Sequence, residues 1–530
     1  EELNRAELIA HETSHMWFGD LVTMDWFDDV WTKEVFANYF AARIVEPLFP
    51  EINHTQNKLK TFTAASLSED RTMGTNAIRQ PLDNLRNAGL IYGQIIYNKA
   101  PVMMEKLVDK MGEANFRSGI QEYLKTYSYG NATWDDLIRI LDSKTTEDLA
   151  AFSDVWVNRK GMPTLTFRTD GQELEIRQHD PYNRGLLWPQ RFAVTLCGER
   201  DSVIRVNMTD TLFRMQLPFV PSRVLPNTDG RGYGVFVPDE PALHWLAAHW
   251  WEIEDDTARQ SLLMVLYENY LAKHISADDW VNSLITGLPA EKNALVASTA
   301  SGYLANVMRE IAPANRAEVE ARIYTMTQNH PLPSCRIQLM RLFMQNAISE
   351  PMVKKLYILW QQQSDKHLNR QDYTTLAYEL AIRMPLESEQ ILRTQRARID
   401  DPDRLRQFDF ISRAAVSDTA RLDTLFNSLL AAENRRIEPW TTAVIRYLNH
   451  PLREDQSVKY IRPGLEVLEE VQRTGDIFFP KNWAAALLGN HLGSSAYEEV
   501  VRFLNERPDY SPLLKNKILQ VAYPLYRANN

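Results

Sequence analysis

The amino-acid sequence predicts a mainly α-helical chain with one small β-sandwich and a C-terminal α-solenoid of the HEAT/armadillo-like kind. Residues 1–160 and 241–530 carry apolar side chains at helical spacing, whereas residues 161–240 alternate apolar and polar side chains as strands do. A chain of 530 residues is also too long to enclose a single hydrophobic core. We therefore predict three domains with these boundaries.

The first domain is predicted to be helical, beginning at the N-terminus. Pro101 suits the first position of a helix, because the N–H that it lacks would have no partner there. Gly161–Pro163 ends the segment with a strong turn signal. Beyond the helices around residues 11 and 34, helices are predicted over Glu51–Ser68, from Pro101, over Ala114–Tyr127 and over Thr133–Ser143.

The second domain is predicted to be a small antiparallel β-sandwich. Its alternating segments are separated by Gly171, Gly198 and 227–230, which are typical turn positions. Pro238 then ends the pattern. The predicted strands cover Leu165–Arg168, Leu174–Arg177, Phe192–Leu196, Ser202–Val206 and Tyr233–Val237.

The third domain is predicted to be an irregular stack of helix pairs. Helical segments follow one another, separated by Pro, Asn and Asp, and no motif recurs at a fixed period. The methionines and tryptophans of this region are expected in its core rather than in ligand sites. Examples of the helical segments are Arg259–Leu271, Asp278–Gly287, Arg336–Asn346 and Tyr373–Arg383.

The composition is that of an ordinary globular protein, with 44% hydrophobic and 24% charged residues. The net charge of −10 is spread over interspersed acids and bases, which argues against a nucleic-acid partner. No apolar run approaches the ~18 residues of a membrane span. Cys197 and Cys335 are too few and too far apart for a disulfide framework or a cysteine metal site. We therefore expect a soluble protein, with the cytoplasm and a bacterial periplasm as candidate compartments.

The segment His11–His15, which reads HETSH and is followed by Glu34, is the feature that points to chemistry. Two histidines four residues apart on a helix project from one face, and neutral imidazoles at that spacing can bind one zinc ion. Glu34 lies in a second helical segment, from which its carboxylate could return as third ligand and leave a position for water. Glu12 is then free to act as the base toward that water. The sequence thus predicts one zinc site on His11, His15 and Glu34.

The alternative is that the motif is accidental and the histidines are ordinary core residues. A bare motif of this kind arises by chance on the order of one time in a hundred in such a chain. The flanking residues argue against chance, because apolar side chains on both sides predict a buried helix, where ionisable groups need partners or a metal. These flanking residues are Leu8, Ile9, Met16, Trp17 and Phe18.

The start of the chain is unusual, because residues 1–6 are already in helical pattern and there is no initiator methionine. A catalytic helix needs a substrate cleft on its other side, and nothing upstream supplies one. We therefore expect the chain to be the C-terminal part of a longer polypeptide, with the missing N-terminal portion as a partner of the site.

The ligand segment closely resembles the aminopeptidase N family of zinc aminopeptidases. The family pattern HExxHxWFGNLVTxxWWxDLWLNEGFA is matched by residues 11–37, which read HETSHMWFGDLVTMDWFDDVWTKEVFA. Three later segments resemble the family's tyrosine motif, the end of its catalytic domain and the last strand of its small sandwich. These segments are Tyr97–Pro101, Trp156–Pro163 and Gly232–Val235.

The resemblance implies a fold and a mechanism. The fold is the helical lobe of a thermolysin-like catalytic domain, then a β-sandwich, then a helical solenoid. The mechanism is removal of N-terminal residues from peptide substrates, with zinc on the three predicted ligands and Glu12 carrying the proton. Tyr97 would share the developing oxyanion with zinc. From the sequence alone Tyr97 is one of 21 tyrosines, and Tyr92 lies close by.

The chain also departs from the family pattern. It lacks the first catalytic lobe, whose glycine-x-methionine-glutamate-asparagine motif grips the substrate amine. Ala41 stands where many members have a carboxylate that supports a histidine, so Asp28 and Asp29 are the candidates for orienting an imidazole, with a surface or capping role as the alternative. Further departures are Asp20, Lys33, Val35 and Ala100.

Three functions remain as alternatives. The first is a broad neutral or hydrophobic aminopeptidase, of which this chain alone binds zinc but turns over aminoacyl substrates poorly. The second is the epoxide-hydrolase/aminopeptidase branch of the family, which lacks the small sandwich and is disfavoured by the strand pattern at 164–239. The third is a non-catalytic scaffold or pseudoenzyme fragment, against which the intact motif residues argue.

Overall fold

A computed structural model describes residues 2–530 and shows a mainly helical chain with small β-sheets. This confirms the predicted fold class at the level of a mainly α chain with a minor β component. The chain divides into two compact units, Glu1–Ile275 and Ser276–Asn530. The three-domain division stays a prediction, and the helices that follow residue 240 up to Leu271 lie in the first unit.

The helices of the first unit include two π-helical turns. Leu59–Thr63 joins α3 to α4, so the predicted helix Glu51–Ser68 is built from three consecutive pieces, and Ile95–Lys99 leads directly into α6. A π-turn widens a helix locally, which the apolar period of a sequence does not reveal. The α-helices are α1 (Glu2–Ser14), α2 (Val30–Val45), α3 (His54–Lys58), α4 (Ala64–Asp70), α5 (Ala88–Ile91), α6 (Ala100–Met111), α7 (Glu113–Tyr127), α8 (Trp134–Asp142), α9 (Leu149–Trp156), α10 (Glu240–His249) and α11 (Asp256–Leu271).

The strands form three sheets. A parallel pair joins β1 and β2, a four-stranded sheet has the order β7-β4-β3-β9, and a three-stranded antiparallel sheet has the order β6-β5-β8. The predicted strands coincide with β3, β4, β5, β6 and β9, while β1, β2, β7 and β8 are additional. The bounds are β1 (Val22–Met24), β2 (Gly130–Ala132), β3 (Thr164–Asp170), β4 (Glu173–His179), β5 (Gln190–Cys197), β6 (Ser202–Met208), β7 (Leu212–Gln216), β8 (Arg223–Leu225) and β9 (Val235–Val237).

The four-stranded and three-stranded sheets share one hydrophobic core. Alternate residues of β3 and β4, such as Leu165 and Ile176, cluster with Val194 of β5 and Val206 of β6. β9 is shorter than predicted, because Gly234 has φ +138° and a Cβ there would lie 2.5 Å from the carbonyl oxygen of Pro163. Only glycine permits this close approach.

α1 and α2 pack against each other and carry the motif residues. Their interface buries one face of α1, including Leu3 and Ala10, against Ala41 and Val45 of α2. The prediction that the whole ligand helix is buried is wrong, because among residues 2–530 only this face of α1 is covered. Leu8, Ile9, Met16 and Trp17 are exposed by 59%, 61%, 59% and 46%, whereas Phe18 is buried.

The second unit is built of α-helices. Within residues 2–530 no helix combines the length and the apolar character that a membrane crossing requires. The helices are α12 (Ala277–Gly287), α13 (Ala294–Val307), α14 (Pro313–Asn329), α15 (Pro333–Asn346), α16 (Glu350–Gln362), α17 (Arg370–Arg383), α18 (Ser388–Arg396), α19 (Pro402–Ile411), α20 (Thr419–Leu429), α21 (Glu438–Leu448), α22 (Glu454–Ser457), α23 (Ile461–Glu466), α24 (Leu468–Thr474), α25 (Phe479–Leu488), α26 (Ser494–Asn505), α27 (Pro512–Val521) and α28 (Tyr523–Asn529).

Arginine side chains cap helix C-termini repeatedly in this unit. Arg383 donates to the carbonyl oxygens of Met344 and Gln345 in the last turn of α15, at 2.7 Å each. Such carbonyls have no partner inside their own helix, and a cation there also complements the helix dipole. Arg309, Arg316, Arg398, Arg435 and Arg453 make similar contacts with carbonyl oxygens at other chain turns.

Candidate metal centre

The two histidines of the motif lie at the C-terminal end of α1. His11 is in the last turn, and His15 follows the final helical residue, with its backbone N–H still bonded to the carbonyl of His11 at 3.3 Å. This spacing aims both rings to one side, and their Nε2 atoms are 3.2 Å apart. Both side chains are half-buried.

Glu34 of α2 faces these two imidazoles. Its Oε2 lies 3.5 Å from Nε2 of His11 and 3.8 Å from Nε2 of His15. One ligand atom from each residue falls within 4.8 Å of the others, and Glu34 is 6% exposed. The structure thus brings together the three side chains that the sequence singles out.

Electrostatics keep the Glu34 carboxylate anionic. Burial acts to raise the pKa of Glu34, but the hydrogen bond to His11 and the charges of Lys33 and His15 outweigh it and lower the pKa. The same hydrogen bond raises the pKa of His11 against the effect of burial. An anionic oxygen beside two imidazole nitrogens is a donor set that suits a divalent cation such as zinc.

The Nδ1 atoms of both histidines have acceptors that hold the rings in place. Nδ1 of His11 donates to Oδ1 of Asn38 at 2.9 Å, and Nδ1 of His15 donates to the carbonyl of Phe18 at 3.1 Å. In the neutral imidazoles the proton is then on Nδ1, and each Nε2 presents its lone pair to the space beside Glu34, whereas the hydrogen bond from His11 to Glu34 requires the protonated ring. The rings therefore have the tautomer and the orientation of metal ligands.

Tyr97 lies in the π-turn Ile95–Lys99, close to the carboxylate of Glu34. Burial, the charge of Glu34 and the neighbouring Tyr92 together raise the pKa of Tyr97, so its hydroxyl stays protonated at neutral pH. The rings of Tyr92 and Tyr97 stack with their centroids 5.9 Å apart. Asn38 links the turn to the histidines, because its Nδ2 donates to the carbonyl of Tyr97 at 3.3 Å.

A cavity of about 440 Å³ lies beside His11, Asn38 and Tyr97. His11, Glu12 and Tyr97 all line it, and further along it are Glu7 and Lys58. Glu12 is exposed, next in sequence to His11. The cavity therefore gives a small polar molecule access to His11, Glu12 and Tyr97 at the same time.

The sequence of this region matches a known family. Residues 1–156 match the peptidase family M1 domain. Residues 1–156 are therefore similar to the peptidase M1 family. This confirms the resemblance to the aminopeptidase N family seen in residues 11–37.

Several M1 relatives are similar to the chain over part of its length. Tricorn protease-interacting factor F2 of Thermoplasma volcanium is 31% identical over 182 residues, which are 34% of this chain and 23% of the relative. Endoplasmic reticulum aminopeptidase 2 of Homo sapiens is 31% identical over 268 residues (43% and 28%), and aminopeptidase N of Lactococcus lactis is 28% identical over 247 residues (46% and 28%). The matched part thus spans about a quarter of these relatives' length.

The expectation that Asp28 or Asp29 orients an imidazole of the M1 centre is wrong. Asp28 accepts a hydrogen bond from the backbone N–H of Leu82 at 2.7 Å, and Asp29 pairs with Arg79 at 2.8 Å. Asp29 also accepts from the backbone N–H of Trp134. Both carboxylates therefore join neighbouring segments of the M1 domain, which is the alternative structural role.

Asn38 is the residue that sequence reasoning misses in this M1 domain. It lies four residues after Glu34, so both side chains project from one face of α2. That spacing was the available signal, because a polar residue one turn beyond a ligand faces the same centre. The carbonyl of Phe18 carries no such signal, since any residue supplies a backbone oxygen.

Proposed function

We propose that this chain carries the metal centre of a zinc-dependent aminopeptidase that removes N-terminal residues from peptides. The convergence of one donor atom each from His11, His15 and Glu34 within 4.8 Å carries the proposal. The match of residues 1–156 to the M1 domain and the similarity to relatives named as aminopeptidases support it. The helical lobe of a thermolysin-like catalytic domain, a β-sandwich and a solenoid remain our interpretation of the architecture.

The residues of the centre fit a zinc ion. Two imidazole nitrogens and one carboxylate oxygen are the three protein ligands of a catalytic site that keeps its fourth position open. The contacts of Asn38 and Phe18 with the Nδ1 atoms favour the tautomer that such ligands need. When bound, zinc supplies Lewis-acid polarisation and a water of lowered pKa.

Glu12 and Tyr97 are proposed to handle the proton and the developing charge. The carboxylate of Glu12 accepts a proton as water attacks the peptide carbonyl, and delivers it to the leaving amine. The hydroxyl of Tyr97 donates a hydrogen bond to the carbonyl oxygen as that oxygen gains negative charge. The raised pKa of Tyr97 keeps this donor protonated at neutral pH.

The test combines metal binding with hydrolysis of a leucyl anilide by residues 1–530. We expect one zinc per chain and slow release of the aniline, because no motif of the amine-gripping kind is present in the sequence. Glu12→Gln should keep the zinc and abolish the release, since the amide cannot accept the proton. Zinc binding without any release above the Glu12→Gln level would favour the scaffold alternative, and absence of zinc binding would refute the proposal.

A further inference from the structure

A buried ion pair joins the π-turn of Tyr97 to the rest of the first unit. The ammonium of Lys99 lies 2.7 Å from Oδ2 of Asp70, and both side chains are 0% exposed. Lys99 also donates to the carbonyl oxygen of Gly161 at 2.8 Å. Asp70 in turn accepts from the hydroxyls of Thr75 at 2.7 Å and Tyr233 at 3.1 Å. Four segments far apart in sequence thus meet at the end of one π-turn.

Stability alone does not explain this pair. Removing two charges from water is costly, and replacing a buried ion pair by a neutral pair of similar volume is often neutral or stabilising. Such a pair does fix the positions of its two side chains, because each buried charge is costly unless it stays next to the other. Lys99 is the last residue of the π-turn Ile95–Lys99, two residues after Tyr97.

The turn is held from its other side as well. The carbonyl of Tyr97 accepts from Asn38, whose Oδ1 accepts from His11. A π-turn is an unusual backbone conformation that persists where its surroundings determine it, and it occurs often at functional sites. Asn38 thus holds the middle of the π-turn from the side of His11, and the ion pair holds its last residue, Lys99.

We propose that Lys99 and Asp70 are positioning residues that set the place of the Tyr97 hydroxyl relative to His11, His15 and Glu34. The inference rests on the proposed function, in which that hydroxyl meets the substrate. The same proposal implies that residues next to the β-sheets help to position the Tyr97 hydroxyl. Gly161 precedes β3 and Tyr233 precedes β9, and both contact the ion pair.

The test variant removes both charges and keeps both shapes. Asp70→Asn with Lys99→Met leaves an acceptor for one of the hydroxyls of Thr75 and Tyr233, an N–H donor toward the other, and an unbranched chain in place of the lysine. Lys99→Met alone would leave a buried carboxylate without its cation and is expected to unfold. The matched control is Arg316→Met with Glu320→Gln, which neutralises a buried ion pair of the second unit.

The first readout is the resonance of Tyr97 in chains labelled with fluorotyrosine and assigned with Tyr97→Phe. We expect this resonance to shift or broaden in the Asp70→Asn/Lys99→Met chain and to stay in place in the control. An unmoved Tyr97 resonance would overturn the proposal whether or not the chain hydrolyses any peptide. This readout therefore separates the inference from the proposed function.

The second readout is a double-mutant cycle on hydrolysis of the leucyl anilide. We expect about a 10- to 100-fold fall in kcat with KM nearly unchanged, because a misplaced donor weakens transition-state contacts. In the Tyr97→Phe background the same double substitution should have no further effect. Additive effects would show that the ion pair does not act through Tyr97 and would overturn the positioning role. A shifted Tyr97 resonance, when the unsubstituted chain hydrolyses nothing, would support the positioning role and favour the scaffold alternative over the proposed function.

Discussion

The amide of Asn38 holds a central place in the candidate metal centre, since it contacts both a predicted ligand and the carbonyl of Tyr97. Substitution by alanine removes the acceptor for Nδ1 of His11 and frees the ring to rotate. Loss of such an outer contact typically weakens metal binding by about 10- to 100-fold. We expect that loss in zinc affinity for Asn38→Ala, measured by competition with a chelator.

Asn38→Asp is the matched control for this substitution. Its carboxylate keeps the acceptor for His11, loses the donor to Tyr97 and adds a negative charge beside the imidazole, so zinc affinity should not fall below that of the unsubstituted chain. Equal zinc affinity in Asn38→Ala would show that Asn38 does not orient the imidazole.

Residue spacing explains what could be predicted of the site. His11, Glu12 and His15 share one helix turn, and Glu34 follows at a distance that a helical hairpin can close. Their convergence is therefore visible in sequence. The contacts of Asp28 and Asp29 depend on where Leu82 and Arg79 return in space, and spacing along one chain does not contain that information.

His491 provides a prediction on pH that is independent of the metal centre. It is fully buried, and its Nε2 donates to Oδ1 of Asn449 at 3.0 Å. Burial lowers the pKa of His491 to about 4, with Glu454 opposing and Arg309 adding to the shift. In the unfolded chain this histidine has a pKa near 6.5, so on acidification the unfolded chain takes up the proton first. The contribution of neutral His491 to the free energy of unfolding is therefore fully present above pH 6.5 and is lost as the pH falls toward 4.

The measurement is urea unfolding between pH 7.5 and pH 5. Protonation of His491 alone should lower the free energy of unfolding by about 2 kcal/mol between pH 7.5 and pH 5. This value follows from its pKa in the unfolded chain, near 6.5, and in the folded chain, about 4. His491→Gln keeps a donor for Asn449 but does not titrate, so its stability should fall less over that range. An identical pH dependence in both chains would contradict the assignment.

At the scale of elements, periodicity predicts most helices because each buries one face against a neighbour. Arg259–Leu271 and Tyr373–Arg383 were both predicted and lie within α11 and α17. The π-turns do not show in this periodicity, which follows apolar positions and not contacts between distant residues such as that between Lys99 and Asp70. The short strand β8 pairs over three residues, too few for an alternation to be visible.

Capping of helix ends by arginine gives a prediction at this scale. Arg383 bonds two carbonyls at the end of α15 and pairs with the buried Glu379 at 2.7 Å. Arg383→Lys keeps the charge but not the planar fork that reaches all three acceptors. We expect a loss of about 1–3 kcal/mol in the free energy of unfolding, measured in urea.

Arg406→Lys is the control, because Arg406 is exposed and pairs with the exposed Asp403. Exposed pairs contribute little, so its stability should change by no more than about 0.5 kcal/mol. If the two arginine substitutions cost the same, the capping contacts do not stabilise the helix ends.

At the scale of the whole molecule, the two compact units make the effect of zinc selective. The predicted ligands all lie in Glu1–Ile275, and the site gains its donors only when α1 and α2 are packed. Zinc therefore binds the folded first unit, and free zinc at about 100 times its Kd should stabilise that unit by about 2.7 kcal/mol. The second unit, Ser276–Asn530, should gain nothing directly.

Calorimetry of the chain with zinc and with a chelator measures this difference. We expect one unfolding transition to move up by roughly 5 °C with zinc while another stays in place. Glu34→Gln removes the anionic ligand and should reduce the shift strongly, because a neutral amide oxygen is a poor zinc donor. A shift of equal size in Glu34→Gln, or a shift of every transition together, would mean that zinc acts elsewhere than at the centre formed by His11, His15 and Glu34.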